Sequence, residues 1–188
     1  RTEQIPYDSM VEGMGLDWEW ETLPEWMDHL DRIPKGVNVL SYVPLNPLLV
    51  HVLGLEDAKA GRDPTADEMT ELKRLINEAM DAGMMGWSCQ RLGENSIQAD
   101  FDGTPMPTDV VSPETLYAFA DVLDERGEGF IELINSTGGD PIRNAKREDR
   151  RVVEEIARRA GRPVLFNAVQ AMDEPGAEEV HKRAIGWL

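Results

Sequence analysis

The sequence predicts an α/β fold in which parallel strands are covered by helices. Four short segments rich in apolar and β-branched residues, near 37–43, 84–89, 130–135 and 164–169, have the composition of strands. A segment with helical features follows each of them. The first strand segment is apolar at nearly every position, which is typical of a strand buried on both faces. Regular alternation of strand and helix indicates a parallel sheet.

The chain before the first strand is predicted to form a loop and then a helix. Residues 1–22 are punctuated by proline and glycine, and we expect loop and turn there. Thr22 is a favourable N-cap, and Pro24 falls in the first turn, where proline is tolerated. Apolar residues then recur at helical spacing until the helix ends before Pro34: Leu23, Trp26, Met27, Leu30 and Ile33.

The helix that precedes the second strand has the clearest boundaries. A short apolar helix is expected over 47–53, and a polar loop follows it. Thr65 and Glu68 have the spacing of a capping box, in which each side chain accepts a hydrogen bond from the other residue's backbone N–H. The helix that they open should run to about Ala82, with Gly83 as its stop.

The segment 90–111 is the longest stretch without periodicity. It follows the second predicted strand, and a loop longer than about 15 residues in a compact domain is usually functional or disordered. The part from Asp100 to Pro107 combines an aromatic residue, two carboxylates and two prolines. We expect it to form a lid or wall over a binding site at the carboxyl end of the strand.

The rest of the chain continues the alternation. Ser112 and Pro113 are an N-cap and a first-turn proline, so a helix should begin there. Another helix is expected over 145–160, between the third and fourth strands, and a last one from Pro175 through Trp187. The four βα units are half of a (β/α)8 barrel, which needs about 250 residues.

A small doubly wound sheet would also contain four parallel strands. No G-x-G-x-x-G motif follows any predicted strand, so the dinucleotide-binding version of that fold has no support. Half of a TIM-type barrel and a small doubly wound sheet both remain open from the residues alone.

The composition excludes some classes of partner. The chain has 188 residues, 36 acidic and 19 basic side chains, and a formal net charge of −17. Nucleic acids and anionic membranes attract basic patches, so neither is expected as a partner. The single cysteine, Cys89, excludes an internal disulfide and fits a cytoplasmic location. The sequence does not start with Met, and we expect it to begin inside a longer protein.

Metal-binding and nucleophilic motifs are absent from the sequence. His29, His51 and His181 share no His-x-His or His-x-x-x-His spacing, whereas metal sites usually draw on clustered ligands. We therefore expect all three histidines to be packing or surface residues. The sequence also contains no P-loop, C-x-x-C or G-x-S-x-G motif.

Polar residues at the predicted strand ends are the candidate substrate-binding groups. Ligands of parallel α/β folds meet the carboxyl ends of the strands. Five polar residues lie there: Ser88, Gln90, Arg91, Asn135 and Gln170. A guanidinium can hold a carboxylate through two hydrogen bonds, and the amide side chains can bind an amide or carbonyl group. The alternative is that these residues only cap the strand ends.

Glu132 is a carboxylate inside the third predicted strand. A charge there is costly unless it is paired, bound to a metal or in contact with a wet cavity. A salt-bridged edge position and a role as metal ligand both remain open. Cys89 is expected to be a small buried hydrophobe.

Several segments, in their order and spacing, resemble the middle of a known enzyme family. They are Met10–Met14 followed by Trp20–Trp26, Pro34–Val39, Asn46–Leu48, Thr65–Glu68, Glu78–Ser88, Gly129–Phe130 and Arg162–Val164. Together they extend over nearly the whole chain. The sequence resembles the amidohydrolase superfamily, and within it the amidohydrolase-3 or N-acyl-D-amino-acid deacylase (D-aminoacylase-like) family.

The resemblance implies half of a (β/α)8 barrel, with residues 1–188 as the central part of one metal-dependent hydrolase domain. It implies hydrolysis of a non-peptide C–N bond, in an N-acyl or cyclic amide, by water activated on zinc or another divalent metal. It also implies a small-molecule substrate, contact with the rest of the barrel and a homo-oligomer. The family's His-x-His motif would lie before Arg1 and its catalytic aspartate beyond Leu188, so the catalytic residues are not assigned.

The sequence departs from the family at two strand ends. The family places a metal-ligand His after the fifth and sixth barrel strands, where this chain has Leu133–Ser136 and Asn167–Gln170. These departures indicate a divergent branch, in which Glu132 is a candidate metal ligand. Two alternatives remain open: a non-catalytic barrel that serves as a binding or structural module, and a small α/β binding domain unrelated to barrels.

Overall fold

The structure is a computed structural model that describes residues 7–14, 19–137, 147–166 and 180–187. The described strands are β1 (Val43–Pro44), β2 (Gly86–Arg91), β3 (Phe130–Asn135) and β4 (Val164–Phe166). The described helices are α1 (Tyr7–Met14), α2 (Leu23–Arg32), α3 (Leu45–Leu53), α4 (Leu55–Lys59), α5 (Ala66–Asp81), α6 (Pro107–Val110), α7 (Pro113–Arg126), α8 (Arg147–Ala160) and α9 (Val180–Ile185).

The four strands form one parallel sheet, as predicted. Their spatial order is β1-β2-β3-β4, the same as their order in the chain. A doubly wound sheet contains a point where the strand order reverses, and this sheet has none. Sequential parallel strands with helical connections are the arrangement of a barrel segment, so the structure favours the half-barrel over the doubly wound alternative.

The two faces of the sheet have different environments. On one face, Trp87, Cys89, Ile131 and Leu133 are buried against helices, and the Trp87 indole donates a hydrogen bond to the Phe119 carbonyl of α7 at 3.2 Å. The residues that alternate with them are half-buried or exposed. We call this second surface the open face, and it consists of Ser88, Gln90, Glu132, Ile134 and Leu165. In a barrel, the face opposite the helices is the interior.

The helices contribute most of the core by packing one apolar stripe each. In α5 the buried residues are Leu72, Ile76, Ala79 and Met80, which recur at three- and four-residue spacing. The buried apolar residues of α7 belong to the same core cluster as those of β2 and β3: Leu116, Phe119, Ala120, Val122 and Leu123. These helical residues and the buried residues of the strands form one hydrophobic core.

Helix starts were predictable because caps are local. Thr22 with Glu25 and Thr65 with Glu68 form reciprocal capping boxes, and each N3 backbone N–H donates to the threonine hydroxyl at 3.3 Å. Ser112 accepts a hydrogen bond from the Thr115 backbone N–H at 3.2 Å, which confirms the predicted start of α7.

The predicted first strand over 37–43 is wrong in length and environment. Only Val43 and Pro44 pair with β2, while Val37 and Leu40 are 75% and 63% exposed rather than buried on both faces. The reason is position: β1 is at the edge of the sheet, and no described strand pairs with its outer side. An apolar run predicts burial only where a neighbouring strand or helix exists to cover it.

Other boundaries also differ from the prediction. The second strand, predicted over 84–89, occupies Gly86–Arg91. Residues 1–22 contain the helix α1, and the segment 90–111 contains the short helix α6. The short apolar helix begins at Leu45, two residues before the predicted position, because Pro47 is accommodated in its first turn. Residues 167–169 of the predicted fourth strand and 175–179 of the last helix lie outside the described residues.

Gly86 is required where β2 begins. Its φ is +119°, and a Cβ placed there would lie 1.9 Å from the Phe130 carbonyl oxygen of β3. Any other residue would have to move the backbone of the neighbouring strand. Among the described residues, no helix is both long enough and apolar enough to span a bilayer.

Candidate functional site

The predicted site residues lie at the carboxyl ends of β2 and β3, but on two faces of the sheet. Ser88 and Gln90 belong to the open face, together with Glu132. Arg91 and Asn135 are register partners whose side chains are on the helix-covered face. The reason is the two-residue period of a strand, which turns neighbours such as Gln90 and Arg91 to opposite sides. Gln170 lies outside the described residues.

Arg91 is held by several protein groups. Its Nε donates to the Val111 carbonyl at 2.9 Å and its Nη1 to Asn135 Oδ1 at 3.3 Å, while Asp149 Oδ1 lies 4.0 Å from Nη1. The Arg91 side chain is 14% exposed. Binding of a substrate carboxylate by Arg91 stays a prediction. The observed contacts connect the ends of β2 and β3 with the chain before α7, and we call this set of contacts of Arg91 and Asn135 the brace.

Asp149 fixes the chain that leaves β3. The Asn135 side-chain amide donates to the Asp149 carbonyl at 2.7 Å, and the Asp149 carboxylate accepts from the Thr137 backbone N–H at 3.1 Å and hydroxyl at 2.9 Å. Both Asn135 and Asp149 are buried. These bonds satisfy polar groups that would otherwise be costly to bury. The Asn135 side chain thus bonds to Arg91 of β2 and to Asp149 of α8. Its role toward a substrate also stays a prediction.

Asp109 organises the chain that leaves β2. Its carboxylate, only 1% exposed, accepts hydrogen bonds from the backbone N–H groups of Leu92 at 2.9 Å and Met106 at 3.1 Å, and from the Gln90 amide at 3.2 Å. Burial raises the pKa of the Asp109 carboxyl, and the bonds from Leu92, Gln90 and Met106 oppose that shift. The carboxylate therefore joins both ends of the segment 92–106 and one open-face side chain.

Tyr42 and Glu132 are electrostatic neighbours beside the open face. The Tyr42 ring packs edge-on against Phe130 with ring centroids 5.1 Å apart. Burial raises the pKa of the Tyr42 phenol, and the negative charge of Glu132 raises it further. Glu132 is half-buried between Ser88 and Leu165 in register. The open face thus carries one carboxylate and two neutral polar side chains.

The segment from Asp100 to Pro107, predicted to be a lid or wall, is held in place at Asp100 and Asp102. Lys59 of α4 donates to Asp100 at 2.9 Å and to Asp102 at 3.1 Å. Thr104, and then Lys59, hold the pKa of the Asp102 carboxyl at about 2. The intervening Phe101 is exposed. The segment is therefore fixed to a helix rather than extended into solvent, and its function as a lid or wall stays a prediction.

The described residues do not form a metal site by themselves. Nowhere in the described ranges do three His, Cys, Asp or Glu side chains cluster closely enough to hold a metal ion. Cys89 is buried on the helix-covered face, and burial raises the pKa of its thiol to about 12, so it is a packed thiol as predicted. Glu132 is the described carboxylate on the open face, and one carboxylate is not a complete site.

The histidines differ in their surroundings. His29 is buried beside Trp20, with ring centroids 4.6 Å apart, and stacks on Trp26 at 6.0 Å, which fits the predicted packing role. His51 is exposed on α3. His181 lies in α9, and its Nδ1 is buried with no hydrogen-bond partner among the described residues.

The sequence prediction did not identify Asp109, Asp149 or Tyr42. Asp109 follows Pro107 in the first turn of α6, and Asp149 lies in the first turn of α8, so both look like ordinary helix-start acids. A local signal therefore existed for a helix start. None existed for the hydrogen bonds that the Asp109 carboxylate accepts from Gln90 of β2, or that Asp149 accepts from Asn135 and Thr137. Tyr42 fell inside a segment predicted to be an evenly buried strand.

The sequence relatives of this chain match it over part of their length only. Uncharacterized proteins of Mycobacterium bovis and Mycobacterium tuberculosis are 28% identical over 129 residues, which is 68% of this chain. The chain spans 21% of the length of these curated relatives. No protein-family model matches the chain.

Two solved structures share its fold. One is a D-aminoacylase studied for its binuclear metal centre, with TM-score 0.54 and 22% identity over 76% of this chain and 26% of that chain. The other is a D-aminoacylase variant in complex with copper chloride, with TM-score 0.56 and 20% identity over 88% of this chain and 31% of that chain. At this identity the likeness concerns the fold: the parallel sheet and its helices match part of the D-aminoacylase fold.

Proposed function

We propose that residues 1–188 are the central part of the barrel domain of an amidohydrolase-type enzyme. In this proposal the full-length protein hydrolyses a non-peptide C–N bond, in an N-acyl or cyclic amide of a small molecule. The observation that carries the proposal is the combination of a D-aminoacylase-like fold with a sheet whose open face bears Ser88, Gln90 and Glu132. Barrel enzymes bind their substrates at the carboxyl ends of such strands.

The roles of the open-face residues follow from their chemistry. Ser88 and Gln90 are neutral and suited to orienting an amide, because they can hydrogen-bond its carbonyl or N–H without transferring a proton. Correct orientation of a reacting group contributes greatly to rate, and a misplacement of about 1 Å can cost about 100-fold. Glu132 contributes the negative charge on this face and is the proposed point of contact with a metal held by other parts of the protein.

Zinc or another divalent metal is part of the proposal. When bound, such a metal lowers the pKa of a water molecule and polarises a carbonyl group. The described residues do not supply its ligand set, so we assign no reaction step to it. This chain's own contribution is the wall of the site: open-face residues that position the substrate, and two buried aspartates, Asp109 and Asp149, that fix the loops behind them.

The proposal includes completion of the barrel by other chain segments. Val37 and Leu40 beside β1 and Leu165 on β4 are apolar and exposed at opposite sides of the sheet. Open strand edges with apolar side chains associate with further strands. We place the rest of the barrel on both edges and over the open face. A homo-oligomer and a cytoplasmic location are further parts of the same proposal.

A non-catalytic barrel is the second candidate. The segment Leu133–Ser136 lacks the metal-ligand His that the resemblance implies after this strand, and the described residues hold no metal-binding cluster. In that case the open face would bind a ligand without hydrolysing it. Metal content and turnover of the full-length protein separate the two candidates.

The test is a hydrolysis assay on the full-length protein produced with excess zinc. Metal content is measured by mass spectrometry, and release of free amine or acid is followed on N-acyl amino acids of both configurations and on cyclic amides. The enzyme proposal expects bound metal and turnover of at least one probe, lost on chelation and restored by metal. A metal-free protein that hydrolyses none of the probes would support the binding-module alternative.

A further inference from the structure

The carboxamide of Gln90 has one orientation only. Its amide end lies 3.2 Å from Asp109 Oδ1 and 3.4 Å from the Gln98 carbonyl oxygen. Both of these neighbours accept hydrogen bonds and neither can donate one while Asp109 is ionised, so the atom between them must be the NH2 group. A flipped amide would bring three oxygens together. The carbonyl oxygen Oε1 must therefore point away from Asp109 and Gln98.

The Asp109 carboxylate fixes the orientation of the Gln90 carboxamide by accepting its hydrogen bond. The Asp109 carboxylate is buried and held by two backbone N–H groups, those of Leu92 and Met106. It cannot rotate without leaving a buried N–H unpaired, which is costly. Gln90 is half-buried on the open face, and no donor among the described residues bonds to its Oε1. The arrangement presents a fixed acceptor, rather than a freely rotating amide, at the carboxyl end of β2.

We propose that Gln90 determines substrate specificity by accepting a hydrogen bond from an N–H group of the substrate, with Asp109 as its positioning residue. This inference rests on the proposed function and names the substrate class more closely. The substrate is a secondary amide, or a cyclic amide that keeps its N–H, rather than an ester or a fully substituted amide. A site built to accept a hydrogen bond rejects an analogue without the donor, because the site's polar group is then left unpaired.

The experiment compares an amide with its ester in the full-length, metal-loaded protein. The probes are an N-acetyl amino acid and the matching O-acetyl hydroxy acid, which have nearly the same shape but differ in the N–H. The measured quantity is the ratio of kcat/KM for amide over ester. The intrinsic reactivities of the two bonds cancel when this ratio is compared between wild type and variants.

Gln90→Met keeps the length of the side chain and removes the acceptor. We expect it to lower kcat/KM for the amide about 10- to 100-fold and to change kcat/KM for the ester less than threefold. Gln90→Leu should give the same pattern and serves if the Met variant folds poorly. Asp109→Asn should reduce the amide-to-ester ratio in the same direction, because its NH2 group must oppose the backbone N–H of Leu92 or Met106 and so displaces the acceptor that holds Gln90. Gln98→Met is the control, since Gln90 donates to the backbone carbonyl of Gln98, which the substitution keeps.

The outcomes separate this inference from the proposed function. If wild type hydrolyses both probes and Gln90→Met lowers both rates equally, or leaves both unchanged, the specificity role of Gln90 is wrong while the hydrolase proposal stands. If the wild-type protein binds metal but hydrolyses neither these probes nor any other amide, the proposed function fails and this inference falls with it. A selective loss of amide turnover in both Gln90 variants would support the inference.

Discussion

Arg91 and Asn135 face each other as register partners at the ends of two parallel strands, and Arg91 Nη1 donates to Asn135 Oδ1 over 3.3 Å. The pair lies on the face of the sheet opposite Gln90. Both residues are also bonded to chain outside the sheet, Arg91 to the Val111 carbonyl and Asn135 to that of Asp149. The strand ends therefore combine a polar brace on the helix side with a polar surface on the open side.

Loss of the brace should lower stability. Arg91→Ala removes hydrogen bonds from largely buried groups and should lower the free energy of unfolding by about 1–3 kcal/mol. Arg74→Ala is the matched control, since Arg74 pairs with Glu71 and Glu78 on an exposed helix surface, where ion pairs contribute little to stability. Urea unfolding of the full-length protein measures both. If Arg91→Ala leaves stability unchanged but strongly lowers kcat/KM on an acidic substrate, Arg91 binds substrate and is not a brace.

The electrostatic coupling of Tyr42 to Glu132 can be measured directly. The pKa of Tyr42 is raised mainly by burial and further by the Glu132 charge, so Glu132→Gln should lower it. Tyr117 is the internal control, because Glu132 is not among the charges that shift its pKa. NMR titration of the labelled tyrosine rings follows both groups in one sample. An unchanged Tyr42 pKa in the variant would mean that Glu132 points away from Tyr42.

The anchor of the segment 92–106 should depend on pH. Burial opposes ionisation of Asp100, but its bonds with Lys59 and the Phe101 N–H lower its pKa overall, and Thr104 followed by Lys59 lowers the pKa of Asp102 to about 2. A lowered carboxyl pKa contributes stability above the ordinary pKa, and this contribution disappears as the pH falls through the folded-state value. Lys59→Met should therefore be less stable than wild type at pH 7.

The difference between wild type and Lys59→Met should shrink as the pH falls from about 4 towards 2. The variant should also be cut faster by chymotrypsin after the exposed Phe101, because the tip is released. Lys73→Met is the control, since Lys73 lies on α5, outside the Lys59–Asp100–Asp102 cluster. Equal cleavage rates for wild type and Lys59→Met would contradict the anchoring role.

Removal of the α5 cap should have a local and predictable cost. Thr65→Ala eliminates the acceptor for the Glu68 backbone N–H, which lies 3.3 Å from the Thr65 hydroxyl, and should destabilise the protein by about 1 kcal/mol. Thr70→Ala is the control inside the same helix, where the hydroxyl only bonds back to the Ala66 carbonyl. Thermal unfolding should rank Thr65→Ala below Thr70→Ala. The reverse order would show that the cap does not limit the stability of α5.

The sequence predicted those features that depend on nearby residues. Thr22, Thr65 and Ser112 were recognisable as helix starts because a cap and its partner are three residues apart. The parallel sheet followed from the repeated strand–helix pattern. The exposed Val37 and Leu40 were not predictable, because burial of an edge strand depends on what lies beside it in space.

The candidate site was predicted as a region and only partly as a set of residues. The third strand was located to the residue, but the second ends at Arg91, two residues after its predicted end, and residues 167–169 of the predicted fourth strand lie outside the described residues. The two-residue strand period separates Gln90 from Arg91. Which of the two faces is covered by helices depends on α7 and α8, whose placement relative to β2 and β3 no local pattern reveals. Asp109 was missed for a related reason: its partners Gln90 and Leu92 lie 19 and 17 residues away.

The central claim is that the open face of the sheet, and not its helix-covered face, borders a metal-dependent active site. Anomalous diffraction from crystals of the full-length, zinc-loaded protein, measured across the zinc absorption edge, locates the metal directly. We predict a peak on the side that bears Ser88, Gln90 and Glu132, beyond the carboxyl ends of β2 and β3. A peak on the helix side near Cys89 and Arg91, or no peak in metal-replete crystals, would contradict the claim.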